Sequence, residues 1–149
     1  MEIQVATIED AQEILELQKY AYVSEAELHD DFKIPPLMQT LEELISEFEK
    51  RTILKITDDG ALLASGQVKY SDGCCYIGRM AVLPEFQGRG IGSKLLSALE
   101  AVFPDAKRFE LFTGEKSEKN LAMYSRRGYM PFKTAALGKT KVIFLERLV

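Results

Sequence analysis

Apolar and polar positions change their period several times along the chain, and each change marks an element. Ile3 and Val5 alternate with polar neighbours, the period of two of a short strand. Thr7, followed three residues later by Asp10, resembles a capping box and starts a helix. Ile14, Leu15 and Leu17, continued through Gln18 to Tyr22, then keep an apolar stripe at helical spacing. Glu25 to Pro36 is polar and broken by Pro35-Pro36, a pattern that predicts a loop or a short irregular helix. Thr40 and Glu43 make a second capping pair ahead of Leu41, Leu44, Ile45 and Phe48, the buried face of a second helix.

The period then falls to two. Arg51 to Asp58 reads as a strand, Asp59-Gly60 as a hairpin turn, Ala61 to Tyr70 as a second strand, Asp72-Gly73 as a second turn, and Cys74 to Val82 as a third strand ended by Pro84. Leu95, Leu96, Leu99 and Val102 mark a helix that stops at Pro104-Asp105. Arg108 to Phe112 is a strand, Ser117 to Arg127 a helix capped by Gly128, and Tyr129 to Leu137 and Lys141 to Leu148 are two last strands around Gly138. The order is β-α-α-β-β-β-α-β-α-β-β. The strand–helix–strand unit through 74–112 predicts a crossover with parallel strands. The rest of the sheet is mostly antiparallel. The expected fold is therefore α/β (α+β), with a mixed sheet of about seven strands, helices on both faces, and one domain over 1–149.

Composition narrows the field. The chain has 149 residues, 46% hydrophobic and 28% charged, as a globular domain does. No apolar run approaches the ~20 residues of a membrane span, and Met-Glu-Ile-Gln-Val-Ala lacks the basic and apolar blocks of a signal peptide. These features predict a cytoplasmic protein with no membrane partner. Cys74 and Cys75 are neighbours on a strand and point to opposite faces, so they are not expected to pair. With one histidine, no Cys/His metal site can be assembled. The net charge of −4 and the absence of a Lys/Arg run argue against nucleic acid and are compatible with a cationic substrate such as an amine.

The richest segment is Gln87-Gly88-Arg89-Gly90-Ile91-Gly92-Ser93, which joins a strand to a helix. Glycines let backbone N–H groups approach a bulky anion, and the first turn of a helix adds unpaired N–H groups and a positive dipole end. Together they make a phosphate cradle, to which Arg89 could add charge. The P-loop pattern is absent. The dinucleotide fingerprint fails from Gly88, because position 93 is serine, and from Gly90, because position 95 is leucine. Glu110 lies about 20 residues on, where a ribose-binding acid would be sought, but Pro84 and a five-residue loop separate strand from glycines more widely than a dinucleotide turn allows.

The segment resembles motif A of the GNAT superfamily of N-acetyltransferases, Gln/Arg-x-x-Gly-x-Gly/Ala, which Gln87, Gly90 and Gly92 fill. Met80-Ala81-Val82-Leu83-Pro84 is similar to the family's lead-in. Tyr124-Ser125-Arg126-Arg127-Gly128-Tyr129 is similar to its motif B, Tyr-x-x-x-Gly-Phe/Tyr. The likeness extends over the chain in element order and is strongest over 78–99 and 113–129. It implies acetyl-coenzyme A as co-substrate, with the pantetheine arm on Met80, Ala81 and Val82, and the pyrophosphate on Gln87, Gly88, Arg89, Gly90, Ile91, Gly92 and Ser93. The family often carries an asparagine seven residues before the tyrosine. Here that position is Ser117, and Asn120, one helical turn before Tyr124, is the substitute candidate for the coenzyme contact.

The resemblance further implies direct attack by an amine in a ternary complex. The Val82 N–H would polarise the thioester carbonyl, and Tyr124 would protonate the leaving thiolate. The strand Cys74 to Val82 has no carboxylate to act as base. A water relay to Glu110, Glu115 or a residue of Glu25 to Asp31 could serve. His29, the only histidine, lies within that stretch, which could border the acceptor cleft, though a lone loop histidine is commonly just solvated. The acceptor would be the primary amine of a small molecule or peptide. The alternative is a module of the same fold that holds coenzyme A without catalysis. The exposed final strands could pair in a homodimer.

Overall fold

The computed structural model describes residues 1–149. Seven strands form one sheet in the order β1-β2-β3-β4-β5-β7-β6. They are β1 (Glu2–Val5), β2 (Thr52–Asp58), β3 (Ala61–Ser71), β4 (Cys74–Val82), β5 (Arg108–Gly114), β6 (Met130–Leu137) and β7 (Thr140–Leu148). Every neighbouring pair is antiparallel except β4 and β5, which are parallel as the strand–helix–strand pattern predicts. The helices are α1 (Ala11–His29), α2 (Pro35–Met38), α3 (Leu41–Glu47), α4 (Ile91–Glu100) and α5 (Glu118–Arg126).

Helices cover both faces of the sheet. On one side Ile91, Leu95, Leu96 and Leu99 of α4 and Tyr124 of α5 join Leu54, Ile56, Ala64, Val68, Cys75 and Ile77 in the main core. On the other, α1 and α3 pack Ile14, Leu15 and Leu44 against Ile53. Cys74 and Cys75 are buried free thiols. No helix is long and apolar enough to cross a membrane.

The stretch from Glu25 departs from the expected loop or short irregular helix. Helix α1 runs on to His29 and stops where Asp30 turns left-handed, at φ 49°. The segment contains no glycine or proline before Pro35, and Ala26 is fully buried, so its polar residues describe one face of a helix rather than its end. Pro35-Pro36 likewise opens the short α2, since proline suits the first helical turn. Both expected capping pairs form. The Thr7 N–H donates to Asp10, and Thr40 and Glu43 cap each other.

β4 carries a bulge. Gln67 faces Gly78 but Ser65 faces Ala81, so one extra residue enters β4, and Arg79 lies there at φ 50°. The insertion inverts the phase of the strand. Cys75 and Ile77 face α4 before it; Met80 and Val82 do so after it, while Ala81 packs against Leu17 and Ala21 of α1.

Opposite the bulge, Gly66 lets α4 approach closely. A Cβ there would come within 2.9 Å of Leu99 and 3.3 Å of both Leu95 and Met80. Gly66→Val should therefore cost about 1–3 kcal/mol through overpacking. The check is thermal unfolding, where Tm should fall by several degrees; an unchanged Tm would show that α4 can move away freely.

Candidate active site

The site begins where two strands stop pairing. β4 and β5 are matched only at Cys74–Arg108, Cys75–Phe109 and Tyr76–Glu110. Beyond these, the remainder of β4 and of β5 part. The Leu83 N–H bonds the Leu63 carbonyl. Backbone groups alternate along a strand, so Met80 and Val82 turn theirs the other way, into the gap, and Ala81 turns back toward β3. Two carbonyls on that edge are taken by side chains. The Tyr22 hydroxyl donates to Met80 at 3.0 Å, and the Gln87 amide donates to Val82 at 3.2 Å. The Val82 N–H faces the gap.

The edge leads into the glycine turn. Pro84–Phe86 form one 3-10 turn, and Gly88 and Gly90 then take φ 79° and 81°, a region that other residues enter only at a cost. No neighbouring atom lies within 4 Å of where a Cβ would sit at either residue, so these glycines serve backbone direction rather than packing. Gly90 precedes α4 without offering a side-chain cap, which leaves the first N–H groups of α4 outward and the positive end of its dipole uncovered. Gly92 does pack. Its missing Cβ faces Met123 of α5 and Val82 at 3.8 and 3.9 Å, so the end of β4, the start of α4 and α5 meet there.

α1 spans the gap with four polar residues on one face, at spacings of four, three and four. Gln18 bonds Pro36 and Gln39, Tyr22 bonds β4, Glu25 accepts from the Ser117 hydroxyl just before α5, and His29 accepts the Lys116 N–H at 3.1 Å. His29 Nδ1 meets the Glu25 carbonyl at 2.9 Å, so that nitrogen carries the proton and Nε2 is the acceptor. Both nitrogens are engaged and the ring lies against Gly114. His29 is therefore neither a solvated loop residue nor placed as a base; it fastens α1 to the end of β5.

Two phenols stand in this region. Burial pushes the Tyr22 hydroxyl up to about 12, with Glu25 adding to the rise and Arg79 opposing it. Burial raises Tyr124 further above its ordinary value, the Tyr22 and Glu25 oxygens add to this, and no hydrogen bond from the chain offsets it. Tyr22 spends its proton on Met80; Tyr124 keeps its own.

Several expected residues turn elsewhere. Ala81 is buried against α1 and the Ile91 side chain lies in the core, so Ile91 can offer only its backbone. Ser93 accepts from Arg127 at 2.8 Å, Asn120 donates to Thr113 at 3.2 Å, and Arg89 stacks over Phe86. Glu110 pairs with Arg108 at 2.9 Å where β4 and β5 are still joined, which removes it from the gap. Met80, Val82, the glycine turn and α5 with Tyr124 do come together. Tyr22 and Arg79, which sequence reasoning did not single out, complete the region with Glu25, which belongs to the Glu25 to Asp31 stretch considered for a water relay. The 18–22–25–29 spacing of polar residues on a buried helix face was the available signal for Tyr22 and Glu25.

The chain matches the acetyltransferase (GNAT) family over residues 9–129. It is 30% identical over 137 residues to the S-alkylcysteine N-acetyltransferase of Bacillus subtilis (strain 168), covering 84% of this chain and 76% of that protein. It is 28% identical to YqkA of the same strain over 90% of this chain, but spans only 39% of that protein's length. Among solved structures it is similar to the PaiA N-acetyltransferase of Thermoplasma acidophilum in complex with coenzyme A. The TM-score is 0.74 and the identity 16%, over the full length of both chains, a likeness of fold.

The contact between His29 and Gly114 is open to a double-mutant cycle. Gly114→Ala would drive a methyl into the imidazole and should cost about 1–3 kcal/mol in urea unfolding. In a His29→Ala background the same change should cost less by at least ~0.5 kcal/mol; additive costs would mean that the ring does not set the position of β5.

Proposed function

The chain belongs to the acetyltransferase (GNAT) family, and on that premise we propose that it transfers an acetyl group from acetyl-coenzyme A to the primary amine of a small molecule or peptide. Residues 1–149 act as one domain. The observation that carries this reading is the continuity of the parted β4 edge with the glycine turn. An amide-bearing arm can run along such an edge as an added strand, bonded to Met80 and Val82, and reach a pyrophosphate site at the N–H groups of Gly88 to Ser93. Arg89 is exposed beside that site. Gln87, Ser93 and Asn120 support it by holding β4, Arg127 and β5 in position. The relative named for S-alkylcysteine supports the small-molecule end of the acceptor range.

The thioester is already activated, so the protein needs chiefly to orient, to receive charge on the carbonyl oxygen and to handle protons. The Val82 N–H polarises that oxygen. The amine attacks the carbonyl carbon directly in a ternary complex. As the C–N bond forms and the C–S bond breaks, Tyr124 gives its proton to the sulfur. A phenol raised by burial stays protonated at neutral pH, which suits a donor. The amine arrives as an ammonium ion and must shed a proton before attack and another after it. Glu25 is the carboxylate that both phenols feel. It takes the amine's proton through water, one proton returns to Tyr124 and the other leaves to solvent.

Acetyl-coenzyme A at ~100 times its Kd should stabilise the protein by about 2.7 kcal/mol, and no thermal shift with it would end the reading. Thiol release with added amines then separates an enzyme from a module that only holds the coenzyme. Tyr124→Phe should slow transfer by roughly 10²–10⁴-fold, with the thermal shift retained. Glu25→Gln keeps an acceptor for Ser117 and loses the base, so the acid limb of the pH–rate profile should move to higher pH; a profile that coincides with wild type would remove Glu25 from the proton path.

A further inference from the structure

Resting on that acetyl-transfer reading, we propose that Arg79 binds a carboxylate of the acceptor, which makes the acceptor an α-amino acid rather than a simple amine. Arg79 is half-buried at the β4 bulge, and its guanidinium donates to Gln39 Oε1 at 2.8 Å. That oxygen also accepts from Gln18 at 3.0 Å, and Gln18 in turn bonds the Pro36 carbonyl at 2.9 Å. Gln18 and Gln39 are 1% and 7% exposed. A chain of buried amides thus runs from α1, past α2, to one guanidinium and holds it in place.

Arg79 stands apart among the arginines that are not exposed; Arg89 and Arg126 also lack a carboxylate but lie in solvent. Arg51, Arg108, Arg127 and Arg147 each pair with a glutamate at 3.3 Å or less, whereas Arg79 has no carboxylate within 4.0 Å. A half-buried guanidinium has five donors in a planar fork suited to a carboxylate, and a neutral amide oxygen occupies only one of them. The group lines a cleft of about 310 Å³ with Pro35, Met38, Gln39, Glu43 and Glu47. Glu43 caps Thr40 and Glu47 holds Arg51 at 2.7 Å, so both glutamates act on Arg79 only through their field and neither makes a direct ion pair with it.

The cleft is tied to the reacting end of the site. Arg79 precedes Met80, whose carbonyl takes the Tyr22 hydroxyl, and the fields of both Arg79 and Glu25 act on that phenol. A cation and an anion within reach of one side chain fit a zwitterion. A polyanion would meet Glu25, and a simple cation would meet Arg79. Bound by its carboxylate at Arg79, an amino acid keeps its amine on the Tyr22 and Glu25 side.

The test uses the L-amino acids and their α-amides as matched acceptors. Binding to the coenzyme A-loaded protein is followed by calorimetry, and transfer by thiol release. The amides have the less basic amines and present more free base at neutral pH, so a site blind to the carboxylate should favour them. We expect at least one amino acid to exceed its amide roughly tenfold or more in kcat/KM, the scale of a charged hydrogen bond. In Arg79→Met that ratio should collapse toward or below one, through KM, and Arg79→Lys should recover part of it. The ratio is taken within one protein sample, so loss of folded protein does not affect it. Transfer to amines with amides used as well as acids, or an unchanged ratio in Arg79→Met, overturns the assignment and leaves acetyl transfer standing. No transfer to any amine, with no acetyl-coenzyme A stabilisation, overturns both.

Discussion

Everything in the site follows from the short parallel pairing of β4 with β5. Three residue pairs join them, and then the strands diverge. A divergence inside a sheet exposes backbone groups that neither strand can satisfy, and buried backbone groups must find partners. Two side chains supply part of the answer at the carbonyls of Met80 and Val82. The donors on the same edge face the gap, aligned with the uncovered N–H groups of the glycine turn. One row of directed donors thus runs from the middle of the sheet to the positive end of α4.

The gap stays open because α1 holds both of its sides. The helix is apolar where it lies on the sheet, through Leu17 and Ala21, and presents Gln18, Tyr22, Glu25 and His29 where it crosses the divergence. Tyr22 fixes the β4 side. Glu25 and His29 fix the residues that follow β5. The same helix therefore sets the width of the gap and supplies the polar groups that line it. Enclosure by α1 and α5 also raises the two phenols, so that the apolar packing that closes the core keeps a proton on Tyr124.

The bulge in β4 serves two ends with one residue. It inverts the phase of the strand, which directs Met80 and Val82 toward α4 and the gap, and it sets Arg79 among α1, α2 and α3. A left-handed arginine is a strained conformation, held here by the ladders on either side and by the Gln18–Gln39 amides. Such strain is found where a backbone must aim a side chain or a donor.

The sequence by itself determined the elements and their order, and it marked the glycine turn at the start of α4. Those features are local. A period of two or of 3.6, a capping pair such as Thr40 and Glu43, or a glycine turn at a helix start depends only on residues close in the chain. The tertiary structure alone decided the rest. Glu25 to His29 read as a loop or a short irregular helix because its polarity suggested solvent, yet those residues are polar because α1 faces a gap between strands rather than a core. His29 drew attention as a lone titratable group, and only its position against Gly114 and Lys116, 87 residues away in sequence, reveals a clamp. Arg79 carried no signal at all. Its left-handed backbone and its missing carboxylate partner arise from a register slip against β3 and from amides on α1 and after α2, contacts that no pattern along a single chain contains.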